Sequence, residues 1–240
     1  MFSKLIRKFK SDPVGFLIPA TALSLPFDRT PGFEFFGLTI KLVVVFGLSL
    51  ILIAGLRVLR GQIKLKSLGK LRWLLIIWFL WVSIGLARVD NWDEALKIYI
   101  PLGFFVLLAI SISTLWQQKY LKPTLKYLFI GAFVAAIFGF YQFFGNIIGL
   151  PNWLTAIREE YSWQGFGFPR MHSTALEPLY FSAYLLLPIS LLTTLIISGQ
   201  KIYRSKTYIG LLAVLLLADF LTLSRGGLAA LFIALALAVA

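Results

Sequence analysis

Apolar runs of bilayer-crossing length recur along this chain, at roughly 38–56, 71–87, 95–115, 125–148, 179–197 and 208–223. Inside hydrocarbon a backbone must satisfy its own N–H and C=O groups, and helices of this length do so. A shorter run, Val14–Phe27, contains Pro19 and reads either as a tilted first helix extended by its flanks or as a re-entrant piece. A last run starts near Gly226 and is still apolar at Ala240. At about 15 residues, or roughly 22 Å of helix, it falls short of a 30 Å hydrocarbon core, so 226–240 is expected to be the start of a truncated helix. The expected fold is therefore all-α: a polytopic transmembrane helical bundle of about eight spans forming one integral membrane domain over 1–240. A hydrophobic content of 59% and a mean hydropathy of +0.86 agree.

The charge is strongly positive, +13 from 23 Lys and Arg against 10 Asp and Glu. The basic residues sit in short segments between apolar runs, so anionic membrane lipids, not nucleic acid, are the expected partners. They crowd at Lys4–Lys10, Arg57–Arg72, Lys119–Lys126 and Lys201–Lys206, and are sparser in the alternate segments with Arg29, Lys41, Arg88, Lys97, Arg158, Arg170 and Arg225. By the positive-inside rule the N-terminus is cytoplasmic, in a plasma (inner) membrane, and every acid but Asp12 belongs to the outward half. Residues 1–12 begin as a basic amphipathic segment suited to a lipid surface, or equally as a basic tail, and Ser11-Asp12-Pro13 is a helix-start signal. Trp73, Trp92, Trp116, Trp153 and Trp163 fall near the expected interfaces. No cleavable leader is evident. With no cysteine and the single histidine His172, disulfides and Cys- or His-rich metal clusters are excluded within this chain.

The main outward connection runs over 149–178. Its first part places Trp153, Leu154, Ile157 and Tyr161 on one face and Arg158, Glu159 and Glu160 on the other, the pattern of a helix lying on a surface. Its second part, Gly165-Phe-Gly-Phe-Pro-Arg-Met-His-Ser-Thr-Ala-Leu-Glu-Pro178, gathers Arg170, His172 and Glu177 before the next span, with His172 read as a solvated bystander. Arg88 is followed closely by Asp90, Asp93 and Glu94, which suggests a loop salt bridge.

The segment Leu221-Thr-Leu-Ser-Arg-Gly-Gly-Leu-Ala-Ala-Leu231 places a cation between two apolar runs. Ser224 is a suitable N-cap for the following helix, whose free N–H groups and positive dipole end make an anion site. Gly226 and Gly227 leave room for a headgroup, and Arg225 offers a planar fork for phosphate oxygens. Two arginines at helix starts, Arg170 and Arg225, would clamp a pyrophosphate. The alternative is that Asp219 or Glu177 neutralises Arg225 as a packing pair.

The Ser-Arg-Gly turn resembles the signature of the O-antigen ligase/polymerase superfamily of integral membrane glycosyltransferases. A family pattern of Arg, two residues, Gly-Thr-Phe, two residues, Pro-Asn has its counterpart at Arg170 to Leu179. Arg170, Thr174 and Pro178 match, whereas Ser173, Ala175 and Leu179 depart. The motif likeness is confined to about 170–190 and 220–232. The resemblance implies a GT-C-like fold and transfer of a glycan from a polyprenyl-pyrophosphate-linked donor to a glycan, lipid or protein acceptor on the extracytoplasmic face, in O-antigen or cell-surface polysaccharide biosynthesis. It implies no metal or cofactor, and donor binding by Arg170 and Arg225; Ser224, Gly226 and Glu177, beside them in the sequence motifs, complete the candidate substrate-binding set. The histidine proposed in that family to activate the acceptor lies in a large later loop with no counterpart here, so the catalytic residue is unassigned. Two other readings compete: a transporter or flippase for a lipid-linked or anionic solute, and a non-catalytic membrane component of envelope assembly.

Overall fold

A computed structural model describes residues 11–27, 33–35, 38–63, 70–86, 89–162, 167–200 and 205–239. The amphipathic segment 1–10, Arg29, Arg88 and Trp163 lie outside these residues. Eight helices of 12 residues or more form the bulk of the chain: α1 (Pro13–Ser24), α2 (Leu42–Leu59), α3 (Lys70–Gly85), α4 (Trp92–Leu115), α5 (Leu121–Ile147), α7 (Pro178–Ile197), α8 (Ser205–Leu221) and α9 (Arg225–Val239), with a single turn α6 (Asn152–Thr155) between α5 and α7. Among the described residues four stretches are long and apolar enough to cross a membrane, Leu42–Leu59, Trp92–Leu115, Gln118–Ile147 and Pro178–Ile197, the mark of a membrane protein. Pro13–Ser24, Trp73–Gly85, Thr207–Leu221 and Arg225–Ala236 are shorter apolar helices.

The structure is helical as expected, apart from one short hairpin. The apolar run 38–56 begins not as helix but as β2 (Leu38–Ile40), paired antiparallel with β1 (Phe33–Phe35) so that Phe33 faces Ile40. Lys41, with extended backbone, then stands as the N-cap of α2. Hydropathy measures apolar content, not backbone state, and β-branched Thr39 and Ile40 suit a strand.

The chain clusters into two compact units. One comprises the residues up to Thr21 and Phe33–Leu121. Here Val14, Leu17 and Ile18, spaced as one helical face, are buried with Leu50 and Ala54 of α2 and Leu108 and Leu115 of α4. The α1 start is built as its sequence suggests. Pro13 takes the first helical position, where no N–H is needed, and Asp12 Oδ1 accepts the Gly15 N–H at 3.0 Å. The same carboxylate accepts the Tyr120 hydroxyl at 3.1 Å and lies 3.0 Å from Lys119 Nζ. Partial burial pushes the Asp12 carboxyl up, but hydrogen bonds from Gly15, Lys119 and Tyr120 outweigh it and hold it below the ordinary carboxylate range. Stability from a depressed carboxyl is present above the unfolded value of about 4 and lost as pH falls through the folded one. Acid unfolding of the wild type should therefore show a loss below about pH 4 that Asp12→Asn lacks, read by circular dichroism against pH. On α3 the side chains of Trp73, Leu74, Ile77, Trp78, Trp81 and Ile84 are exposed within the chain, as on a helix facing lipid.

The other unit comprises Ala22–Gly32 and Lys122–Ala240. Its α7 packs against both α8 and α9. Ala132, Ala135, Ala136 and Gly139 form a buried stripe of small residues on α5, and such stripes let neighbouring chain approach closely. The connection from α5 to α7 uses that room. Met171 is fully buried against Gly139, and Ser173, in a left-handed conformation at φ 53°, donates its hydroxyl to Ala135 O at 2.6 Å. Thr174 donates to Pro26 O, and Gln142 Nε2 donates to Ser173 O at 3.1 Å and Ala156 O at 3.4 Å.

The surface helix expected over 150–161 does not form. After α6, Ala156 turns left-handed at φ 55°, and the chain continues to a short 3₁₀ turn at Glu159–Tyr161. The break splits the apolar face: Trp153 is 81% exposed, while Thr155 and Ile157 are buried.

Candidate functional site

The two segments singled out in the sequence meet at the end of α8. α8 stops because Thr222 closes its last turn: its N–H bonds Asp219 O at 3.1 Å and its hydroxyl donates to the same carbonyl at 2.7 Å. Leu223 then takes φ 50°, and Ser224 N–H donates back to Thr222 Oγ1 at 3.2 Å. Ser224 is buried and caps α9, its Oγ accepting the Gly227 N–H at 3.2 Å while its carbonyl accepts Leu228 N–H at 2.9 Å. The expected N-cap is thus present, and Arg225 is the first residue of α9, exposed at its N-terminal end.

Arg170 is bonded to this turn across some fifty residues of sequence. Its Nε donates to Thr222 O and its Nη2 to Leu223 O, each at 3.3 Å, and Met171 N–H donates to Leu221 O at 3.0 Å. These are carbonyls at the C-terminal end of α8, where orphan acceptors and the negative end of the helix dipole both favour a cation. The placement of Arg170 at a helix start is therefore corrected: it stands at a helix C-terminus, eight residues before α7 begins. Its guanidinium also lies 5.8 Å from the centre of the Tyr161 ring, and the Arg170 backbone N–H donates to Tyr161 O at 2.8 Å.

His172 is not solvated but fully buried. Its Nε2 accepts the Arg158 N–H at 3.2 Å, which places the ring hydrogen on Nδ1, 3.2 Å from Ala175 O. Both ring nitrogens thus bond backbone groups of the connection, and the ring lies 5.7 Å from that of Tyr161. This is a folding role, and it was invisible in sequence because nothing local marks a histidine whose partners lie 14 residues upstream and 3 downstream.

Neither carboxylate offered as a neutralising partner pairs with Arg225: among the described residues the one ion pair joins Asp12 and Lys119. Glu177 is the half-buried N-cap residue of α7, with no side-chain capping bond. Asp219 is fully buried, its Oδ1 accepting the Ser182 hydroxyl and its Oδ2 without a partner. The glycines also divide. Gly226 is exposed, and a Cβ there would meet only Leu179 Cδ1 at 3.6 Å. Gly227 is buried, and a Cβ there would overlap Ser182 Oγ. Gly226 alone leaves space at the helix start.

The arrangement presents an exposed guanidinium, a capped helix N-terminus and a second, half-buried guanidinium tied to the same turn. These are donors suited to an oxyanion. One cavity of about 390 Å³ is lined by Val82, Tyr99 and Glu94, and another of about 500 Å³ by Phe129, Phe133 and Gly210; neither lining includes a residue of this turn. Among the described residues no group of three or more acids or histidines could hold a metal ion. No family model, curated protein or solved structure matches this chain.

Proposed function

We propose that this protein transfers a glycan from a polyprenyl-pyrophosphate carrier to an acceptor hydroxyl on the extracytoplasmic face, in the manner of the O-antigen ligase/polymerase superfamily that its motifs resemble. In this reading the helices belong to a GT-C-like bundle of about eight spans in the inner membrane, with a cytoplasmic N-terminus. The observation that carries it is the bonding of Arg170 to Thr222 O and Leu223 O, which joins the two motif segments beside the exposed Arg225. The acceptor oxygen attacks the anomeric carbon of the donor sugar, the bond from that carbon to the pyrophosphate oxygen breaks, and the leaving group gains negative charge. Arg225 and the N-terminal N–H groups of α9 stabilise that charge, and Arg170 adds its own while fixing the turn. The acceptor proton passes to a base that no residue here is assigned to supply.

The test is glycan transfer by the protein in liposomes with a polyprenyl-pyrophosphate-linked donor. Loss of a charge-assisted phosphate contact is worth about 1.5–3 kcal/mol, so Arg225→Ala should lower transfer roughly tenfold to a hundredfold, with Arg225→Lys between it and wild type. Unchanged transfer in both variants would count against the reading. One feature favours a carrier for lipid-linked or anionic solutes instead: Asp219, an acid buried in an apolar helix with an unbonded oxygen. Donor that crosses the bilayer without being transferred would select that alternative.

A further inference from the structure

The larger cavity is built from two matching stripes. Phe129, Ile130 and Phe133 of α5 form one wall, and Thr207, Gly210, Leu211 and Val214 of α8 form the other, around about 500 Å³. In each helix the lining residues recur at three- and four-residue spacing, so each wall is one helix face. Gly210 faces the open space of the groove: a Cβ built on it meets no heavy atom within 4 Å. Thr207 is the sole polar residue of the lining, so the groove offers almost nothing to a peptide backbone and suits a hydrocarbon chain. The α5 stripe continues toward its N-terminal end into two exposed lysines, Lys126 and Lys122, each one turn further along.

We propose that this groove binds an anionic phospholipid, with an acyl chain between the two apolar stripes and the phosphate at Lys122 and Lys126. A basic patch closing an apolar groove between membrane helices is the arrangement that recognises anionic headgroups. The site is separate from the arginine turn and does not depend on the glycan-transfer reading.

The experiment compares spin-labelled phosphatidylglycerol with spin-labelled phosphatidylcholine on the purified full chain in bilayers, reading the motionally restricted fraction by electron paramagnetic resonance. The wild type should prefer phosphatidylglycerol, and Lys126→Gln should lower that preference about fivefold, as should Lys122→Gln. Gly210→Phe, which fills the groove, should reduce the restricted phosphatidylglycerol at unchanged helicity. Should that variant not fold, the double variant Lys122→Gln/Lys126→Gln, which alters only exposed side chains, carries the test. Equal association of the two lipids with the wild type would overturn the proposal. So would selectivity that survives in the double lysine variant, or displacement of phosphatidylglycerol by an equimolar amount of polyprenyl phosphate.

Discussion

Replacing Gly227 by alanine should destabilise the unit built on α5, α7, α8 and α9 more than any other single methyl added at the arginine turn. The new Cβ would overlap Ser182 Oγ and come within 2.6 Å of Ser182 Cβ. Overpacking of this kind costs about 1–3 kcal/mol by itself. Here the neighbour that must give way is the hydroxyl bonded to Asp219, whose other carboxyl oxygen already has no partner. Moving Ser182 strips a buried carboxyl of that hydrogen bond, which adds a further penalty of about 1–3 kcal/mol. Gly227→Ala should thus unfold at clearly lower temperature in detergent, and Gly227→Val should fail to accumulate. Adding Ser182→Gly should recover part of the packing cost in Gly227→Ala, and a double-mutant cycle separates that part from the lost hydrogen bond. A Gly227→Ala protein as stable as wild type would show that α7 and α9 do not approach as closely as described.

The second large effect is expected at His172. Leucine in its place fills similar apolar space but leaves the Arg158 N–H and the Ala175 carbonyl without their imidazole partners. Each orphaned buried group costs about 1–3 kcal/mol, so His172→Leu should lower stability by roughly 2–6 kcal/mol. Glutamine carries both a donor and an acceptor and should recover part of that. Thermal unfolding of the three proteins decides the matter, and equal midpoints would return His172 to the solvated role that its lone occurrence suggests. Because the connection also carries Arg170, His172→Leu should in addition lower the glycan transfer proposed above, through loss of the fold that holds Arg170 at the α8 turn.

The helices were largely legible in the sequence because their signals are local. Apolar length marks α2, α4, α5 and α7, Asp12-Pro13 marks the start of α1, and Ser224 marks that of α9, where the cap is found. The connection over 149–178 was misread for the same reason. Its alternation of apolar and charged residues fits a helix locally, and local pattern carries no record of Ala135, Gly139 or Gln142, against which the segment folds. The packing room had a signal, the Ala132-Ala135-Ala136-Gly139 stripe, but not an address for what fills it. At the turn, the Ser224 cap is found where the sequence places it. The sequence assigned Arg170 to the wrong kind of helix end, since the carbonyls it bonds lie 52 and 53 residues away. In sequence Asp219 stands out only as a partner for Arg225, since its bond to Ser182 spans 37 residues.

The tie from Arg170 and Met171 to the α8 turn orders the making of this protein. A chain entering a membrane from its N-terminus delivers the 149–178 connection long before Leu221 to Leu223 exist to receive it. Until then the guanidinium and the Met171 N–H must be held by water, so the connection cannot take its buried position when it first emerges. Insertion of α8 supplies the carbonyls, and Ser224 then starts α9 from a turn already held by Arg170. The arginine turn is therefore a late product of biogenesis, assembled as a unit only when the α8 carbonyls arrive.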